Sequence, residues 1–206
     1  MNKTLLRQLE TKFYDRYPEG WESEELKPIL KKHRVGKMEE LAKQVLSLES
    51  LNRELESCDN IVKLIAKSSL VSVFEKVRFK NLMNEMEDLF KRDFVDSVRV
   101  MLHEDEEAGF TRLVGLLAPY QLAKWPIITV LLTYFEPQKN VFVKPTTVKQ
   151  IISLLELEGL VYTSKVNYAF YEQYRTAFLA MTSLVNPELS VTNGHFSGFL
   201  MMTMDS

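Results

Sequence analysis

The ten residues from Pro126 to Phe135, PIITVLLTYF, constrain this chain more than any other stretch. Only Thr129 and Thr133 among them are polar. They stand four apart, so a helix puts them on one face, where each hydroxyl can bond back to a carbonyl one turn earlier. A helix that is apolar nearly all round must be buried nearly all round. Ten residues rise only about 15 Å as a helix, half of what a bilayer requires. Pro126 suits the first helical position, where its missing N–H has no intrahelical partner to lose, and it disfavours a strand. The stretch is therefore expected to be a buried central helix, about 126–135, in a bundle. Glu136-Pro137 ends it and residues 137–144 form a loop. Lys144-Pro145 then opens an amphipathic helix carrying Val148, Ile151, Ile152, Leu154, Leu155 and Leu157, closed by Gly159 as a left-handed cap.

The remaining pattern is helical too. Gly and Pro number seven each, too few for the turn density of a sandwich or barrel. The fold class is all-α, a single multi-helix domain over 1–206, with 1–68 and 69–206 as sub-parts. Asn2 caps a first helix to Arg16 with Leu5, Leu6, Leu9, Phe13 and Tyr17 as its buried stripe. Tyr17-Pro18-Glu19-Gly20 is a turn, and a short helix with Trp21, Leu26, Ile29 and Leu30 for burial follows. Gly36 marks a helix end. A third helix over 37–47 buries Met38, Leu41, Val45 and Leu48, and Ser57-Cys58-Asp59 reads as a break and cap. Residues 70–102 form the longest pattern, with Leu70, Val73, Phe74, Val77, Leu82, Met86, Leu89, Phe90, Phe94, Val98 and Leu102 as its stripe, Ser69 or Ser72 as cap, and a break near Asn81–Asn84 or at Asp93. Asn167 caps a helix through Val185 that buries Phe170, Tyr171, Tyr174, Phe178, Met181 and Leu184, and a short last helix carries Phe196, Phe199, Leu200 and Met201.

The formal net charge is −2, which supplies no global field toward nucleic acid or membrane. Cys58 is the only cysteine, so no internal disulfide forms, as suits a reducing compartment. The N-terminus, MNKTLLRQLETKFYDRY, is crossed by charges and lacks the apolar core of a signal peptide. The expected location is the cytoplasm, with no membrane association.

Two passages carry a family likeness: RYPEGWESEELKPILKKHRVGKM, and KWPIITVLLTYFEPQKNVFVKPTTVKQ. The turn Tyr17-Pro18-Glu19-Gly20-Trp21, the element Lys31-Lys32-His33, the pair Trp125-Pro126 and the helix start Phe142-Val143-Lys144-Pro145 together resemble a bacterial family of uncharacterised proteins. The resemblance implies one whole-chain architecture and brings no activity with it.

No reactive motif stands out. His33, His103 and His195 lack metal-ligand spacing, so no metal and no cofactor is expected. Contiguous acids at Glu104–Glu107 point different ways around a helix and read as a solvated helix start. Gly109 and Gly115 are isolated, and HFSGF is no nucleophile elbow. Catalytic residues are therefore none. The strongest electrostatic feature is the acid-free run 27–37, where Lys31, Lys32, Arg34 and Lys37, with Lys144 before a helix start as a second anchor, form a phosphate or nucleic-acid candidate. Its plain alternative is a solvated helix end. Trp125, Tyr168 and Arg175 are candidates for a pocket assembled from dispersed residues. The leading expectation is a non-catalytic interaction protein, with a protein partner or a second copy of itself. Weak nucleic-acid binding and an enzyme with a dispersed pocket are the alternatives.

Overall fold

A computed structural model describes residues 1–204. It is a multi-helix bundle with no strand among those residues. In chain order the α-helices are α1 Lys3–Arg16, α2 Lys27–His33, α3 Val35–Val45, α4 Leu48–Leu51, α5 Leu55–Lys67, α6 Val73–Glu85, α7 Asp88–His103, α8 Glu106–Leu117, α9 Trp125–Phe135, α10 Pro145–Leu154, α11 Tyr168–Thr182 and α12 Asn193–Met204, with short 3-10 turns between some of them. One connected set of buried apolar side chains reaches from Leu6 to Leu200.

Two helices share the centre. α9 is the most completely buried: of its 11 residues only Pro126 and Phe135 escape full burial. Its two threonines behave as their spacing requires, Thr129 Oγ1 donating to the Trp125 carbonyl and Thr133 Oγ1 to that of Thr129, each at 2.7 Å. The Thr129 hydroxyl also accepts the Val143 N–H at 3.1 Å, which holds the segment after α9 against it. α7 has the most inter-helix contacts, packing on α4, α5 and above all α8. At that last crossing Gly109 faces the Met101 backbone with no room for a side chain.

Local signals place most helix starts. The Asn2 side chain accepts from Leu5 N–H, and Asn167 from Phe170 N–H. Ser72, not Ser69, caps α6, in a reciprocal box with Glu75. Pro126 and Pro145 stand in the first turns of α9 and α10.

Several boundaries differ from expectation. The end of α2 is Arg34, with a left-handed φ of +49°, while Gly36 lies inside α3. The Ser57-Cys58-Asp59 segment is the interior of α5, and the break precedes it at Glu54, φ +42°. The long 70–102 pattern divides at Met86–Glu87 rather than at Asn81–Asn84 or Asp93. α10 stops at Leu154; Glu156 takes the left-handed turn, and Gly159, φ +76°, serves the next one. α2 buries nothing, Ile29 is exposed and Leu48 is exposed.

The largest departure is in α6. Phe79, Leu82 and Met83 face the core, while Val73, Phe74 and Val77 point outward. The helix carries one apolar side in its first half and the opposite one in its second, and periodicity alone cannot say which side the bundle covers. Leu89, in the first turn of α7, is exposed as well.

Candidate functional site

α11 carries the first candidate. Its cap at Asn167 sets the register so that Tyr168, Tyr171, Glu172 and Arg175, spaced by three, four and seven, share one side. The Asp105 side chain caps α8 by accepting the Ala108 N–H, which places Glu106 as the first helical residue. The segment after α9 presents Lys139 and the fully buried Asn140.

These three segments meet at the Arg175 guanidinium, whose side chain is only 9% exposed. Its Nη1 donates to Glu106 Oε1 at 2.5 Å and to Asn140 Oδ1 at 2.7 Å. Its Nη2 donates to Glu172 and, at 3.3 Å, to the Tyr168 hydroxyl. The guanidinium carbon stands 5.1 Å from the centre of the Tyr171 ring. The Tyr168 hydroxyl donates to Glu106 Oε1 at 3.1 Å, and Lys139 Nζ pairs with Glu106 Oε2 at 3.2 Å. Tyr171 donates to Asn140 Oδ1 at 3.1 Å. Asn193, at the start of α12, donates to the Asn140 and Gln138 carbonyls at 3.0 and 3.1 Å.

The electrostatics follow from this arrangement. Burial pulls the Arg175 guanidinium down, but Tyr171, Glu106 and Glu172 outweigh it and carry the group above its ordinary value. Burial, reinforced by the Glu106 charge, pushes Tyr168 up to about 12. Burial alone drives Tyr174 far up. Both Glu106 oxygens are engaged, and Arg175 uses both terminal nitrogens. A network this fully satisfied holds segments together. Glu106 thus departs from the expected solvated helix start: one of four adjacent acids turns inward because a buried cation waits for it.

Tyr168 and Arg175 are therefore brought together. Trp125 is not part of the polar cluster. It is buried, its Nε1 donates to the Thr163 carbonyl at 2.8 Å, and its ring packs on Phe110 and Phe170. Phe110 links the two groups, since it also stacks on Tyr171 at 5.4 Å and meets Tyr168 edge-on at 5.5 Å. No motif in the sequence singles out Phe110. Two surface grooves lie apart from these residues. One of about 360 Å³ is lined by Leu157, Glu158, Leu160 and Gln173 among others, and one of about 320 Å³ runs between α1 and α12 past Asp15, Tyr17 and Met202. The first has Glu158 as its one acidic side chain, and the second is bordered by Lys12, Asp15, Arg16 and Tyr17. Among the described residues no three His, Cys, Asp or Glu side chains are placed to share a metal ion.

The basic run forms the second candidate. Lys31, Lys32, Arg34 and Lys37 are all exposed, and none has an ion-pair partner among the described residues. Lys27, by contrast, pairs with Glu24. Lys144 is also exposed but stands on a separate element, before α10. His33 Nδ1 lies 2.9 Å from Ser69 Oγ, so the end of α2 is tied to the segment leading into α6. Burial, then the Lys32 charge, lowers the His33 pKa, which keeps that contact neutral.

Beyond Ser69 comes the outward face of α6. Val73, Phe74 and Val77 are 75%, 70% and 52% exposed. Lys80, Asn81 and Asn84 continue the same side, and Lys76 and Arg78 flank it. The Arg78 guanidinium carbon lies 5.7 Å from the Phe74 ring centre, and its Nη2 donates to the Tyr120 carbonyl at 3.3 Å. Tyr120 in turn meets Phe90 edge-on at 5.5 Å.

Compared with protein-family models, curated proteins and solved structures, the chain finds no match. The bacterial-family resemblance rests on its motifs alone. Among the described residues no helix is long and apolar enough to cross a membrane.

Proposed function

We propose that this is a non-catalytic interaction protein whose docking face is the outward side of α6. The observation that carries the reading is the row Val73, Phe74 and Val77, aligned over the first turns of one helix and left in solvent. Single exposed apolar residues are ordinary, but a contiguous apolar patch on a folded domain marks a surface that another molecule covers. The polar network around Arg175 supports the same reading from the other side, because its groups are consumed in holding α8, the 139–140 segment and α11 together.

The test is a photo-reactive residue introduced at position 74, compared with one at position 161, where Val161 is exposed in the segment between α10 and α11. In cells that make the protein natively, the expected result is a discrete adduct from position 74 and none from position 161. Adducts from neither position, or turnover of a substrate in an unbiased metabolite screen, would count against the reading.

Nucleic-acid binding by Lys31, Lys32, Arg34 and Lys37 is the second reading, favoured by the exposure of all four without ion pairs. It expects affinity for labelled oligonucleotides that falls with salt, by a log–log slope of about −0.9 per phosphate neutralised on duplex DNA. Charge reversal at Lys31, Lys32 and Arg34 should flatten that slope. Unchanged binding after reversal would dismiss it.

A further inference from the structure

Resting on the docking role of α6, we propose that the partner presents an acidic amphipathic helix. Three features of the face point to this occupant.

The first is shape. Val73 and Val77 are four apart and Phe74 lies between them, so the apolar row runs along the helix axis. A second helix packs along such a row through its own residues at three- and four-residue spacing.

The second is charge. The cations bordering the row, Lys76, Arg78 and Lys80, have no ion-pair partner among the described residues, and Lys31, Lys32, Arg34 and Lys37 add to the same sign beyond the His33–Ser69 contact. The acid in the first turn, Glu75, is occupied in the cap with Ser72. A partner with carboxylates beside its apolar row meets opposite charge along both borders.

The third is what the face disfavours. Laid antiparallel on itself about Val77, α6 would set the Lys76 and Lys80 border of one copy against the same border of the other, and like charges in contact repel. A nucleic-acid backbone would satisfy the cations but leave Val73 and Val77 in water, since neither offers a stacking surface. The apolar row also gives way to Asn81 and Asn84 within the same helix, which leaves it shorter than the stripe of a helix that lies in a lipid interface.

The experiment uses the full chain and four fluorescent probes. These are a designed helical peptide with a leucine row bordered by glutamates, the same peptide with lysines for the glutamates, a single-stranded oligonucleotide, and vesicles rich in phosphatidylglycerol. The acidic peptide is expected to bind at least about tenfold tighter than the basic one. Phe74→Ser should weaken it by about tenfold or more, and Lys76→Glu with Lys80→Glu should reverse the preference between the peptides. Both variants change exposed residues, and an unchanged melting temperature verifies that they fold. No binding of the acidic peptide, equal binding of both peptides, or stronger Phe74-dependent binding of oligonucleotide, vesicle or a second copy overturns the proposal. The cross-link from position 74 separates the two levels. An adduct with a second copy, a nucleic acid, a lipid or a partner segment that is not acidic defeats the acidic helix and leaves the docking face standing, whereas no adduct at all defeats the docking face itself.

Discussion

A methyl group on Gly109 would stand 2.1 Å from the backbone nitrogen of Met101 and 2.4 Å from its Cα. Those atoms belong to α7 and cannot rotate aside. The close approach of α7 and α8 therefore depends on the absence of one side chain. Gly115, six residues further along the same helix, has nothing within 4 Å of the equivalent position.

The two glycines should respond oppositely to alanine. Gly109→Ala must separate α7 from α8 and is expected to destabilise by several kcal/mol, at or beyond the upper end of the roughly 1–3 kcal/mol cost of overpacking. Gly115→Ala should stabilise by about 0.5–1 kcal/mol through helix propensity. Urea denaturation of both variants checks the pair, and a Gly109→Ala protein as stable as the parent would refute the crossing.

Arg175 is expected to be the most sensitive charged residue. Its side chain is 9% exposed and that of Glu106 is 16% exposed, so solvent screens the pair little. Arg175→Ala leaves Glu106, Asn140 and the Tyr168 hydroxyl short of a donor and should cost about 3–5 kcal/mol. The exposed pair Arg53–Glu49 should cost under about 1 kcal/mol when broken. A double-mutant cycle of Arg175 with Glu106 should return coupling above about 1 kcal/mol.

Cys58 is buried in α5 with its Sγ 3.9 Å from Met83 Sδ. Burial, with help from Asp59, pushes its thiol up to about 11. Very little thiolate exists at neutral pH, and the reagent cannot reach it. Ellman's reagent should leave the folded protein unmodified and titrate one thiol in denaturant. Rapid labelling of the native protein would contradict the packing of α5.

His195 gives the stability a pH dependence. It sits in the first turn of α12, its Nδ1 2.8 Å from Thr192 Oγ1 and its ring 5.3 Å from that of Trp21. Burial lowers its pKa in the folded state. The unfolded chain therefore binds the proton first, and stability falls as pH drops through the ordinary histidine value near 6.5, ceasing to fall below the folded-state value. His33 has the same sign. Melting temperature followed from neutral to mildly acidic pH should decline, and His195→Gln should flatten the decline. An unaltered profile in that variant would assign the effect elsewhere.

The features decided by the sequence alone are those whose causes lie within a turn or two of chain. Asn2, Asn167, Pro126 and Pro145 start helices because a cap or a proline acts on N–H groups at most three residues away. The burial of α9 was legible because an apolar surface on all sides leaves no alternative orientation. What needed the tertiary structure depends on a neighbour remote in sequence. Two isolated glycines look alike until Met101 is placed beside one of them. Four adjacent acids look alike until Arg175, 69 residues away, draws in Glu106. Gly36 looks the better helix end than Arg34, yet Arg34 takes the left-handed turn because the chain between α2 and α3 bends there. The two apolar sides of α6 are equally good core candidates by pattern, and packing against α5 chose Phe79, Leu82 and Met83. Val73, Phe74 and Val77 were left outside because a helix can turn only one face to a core.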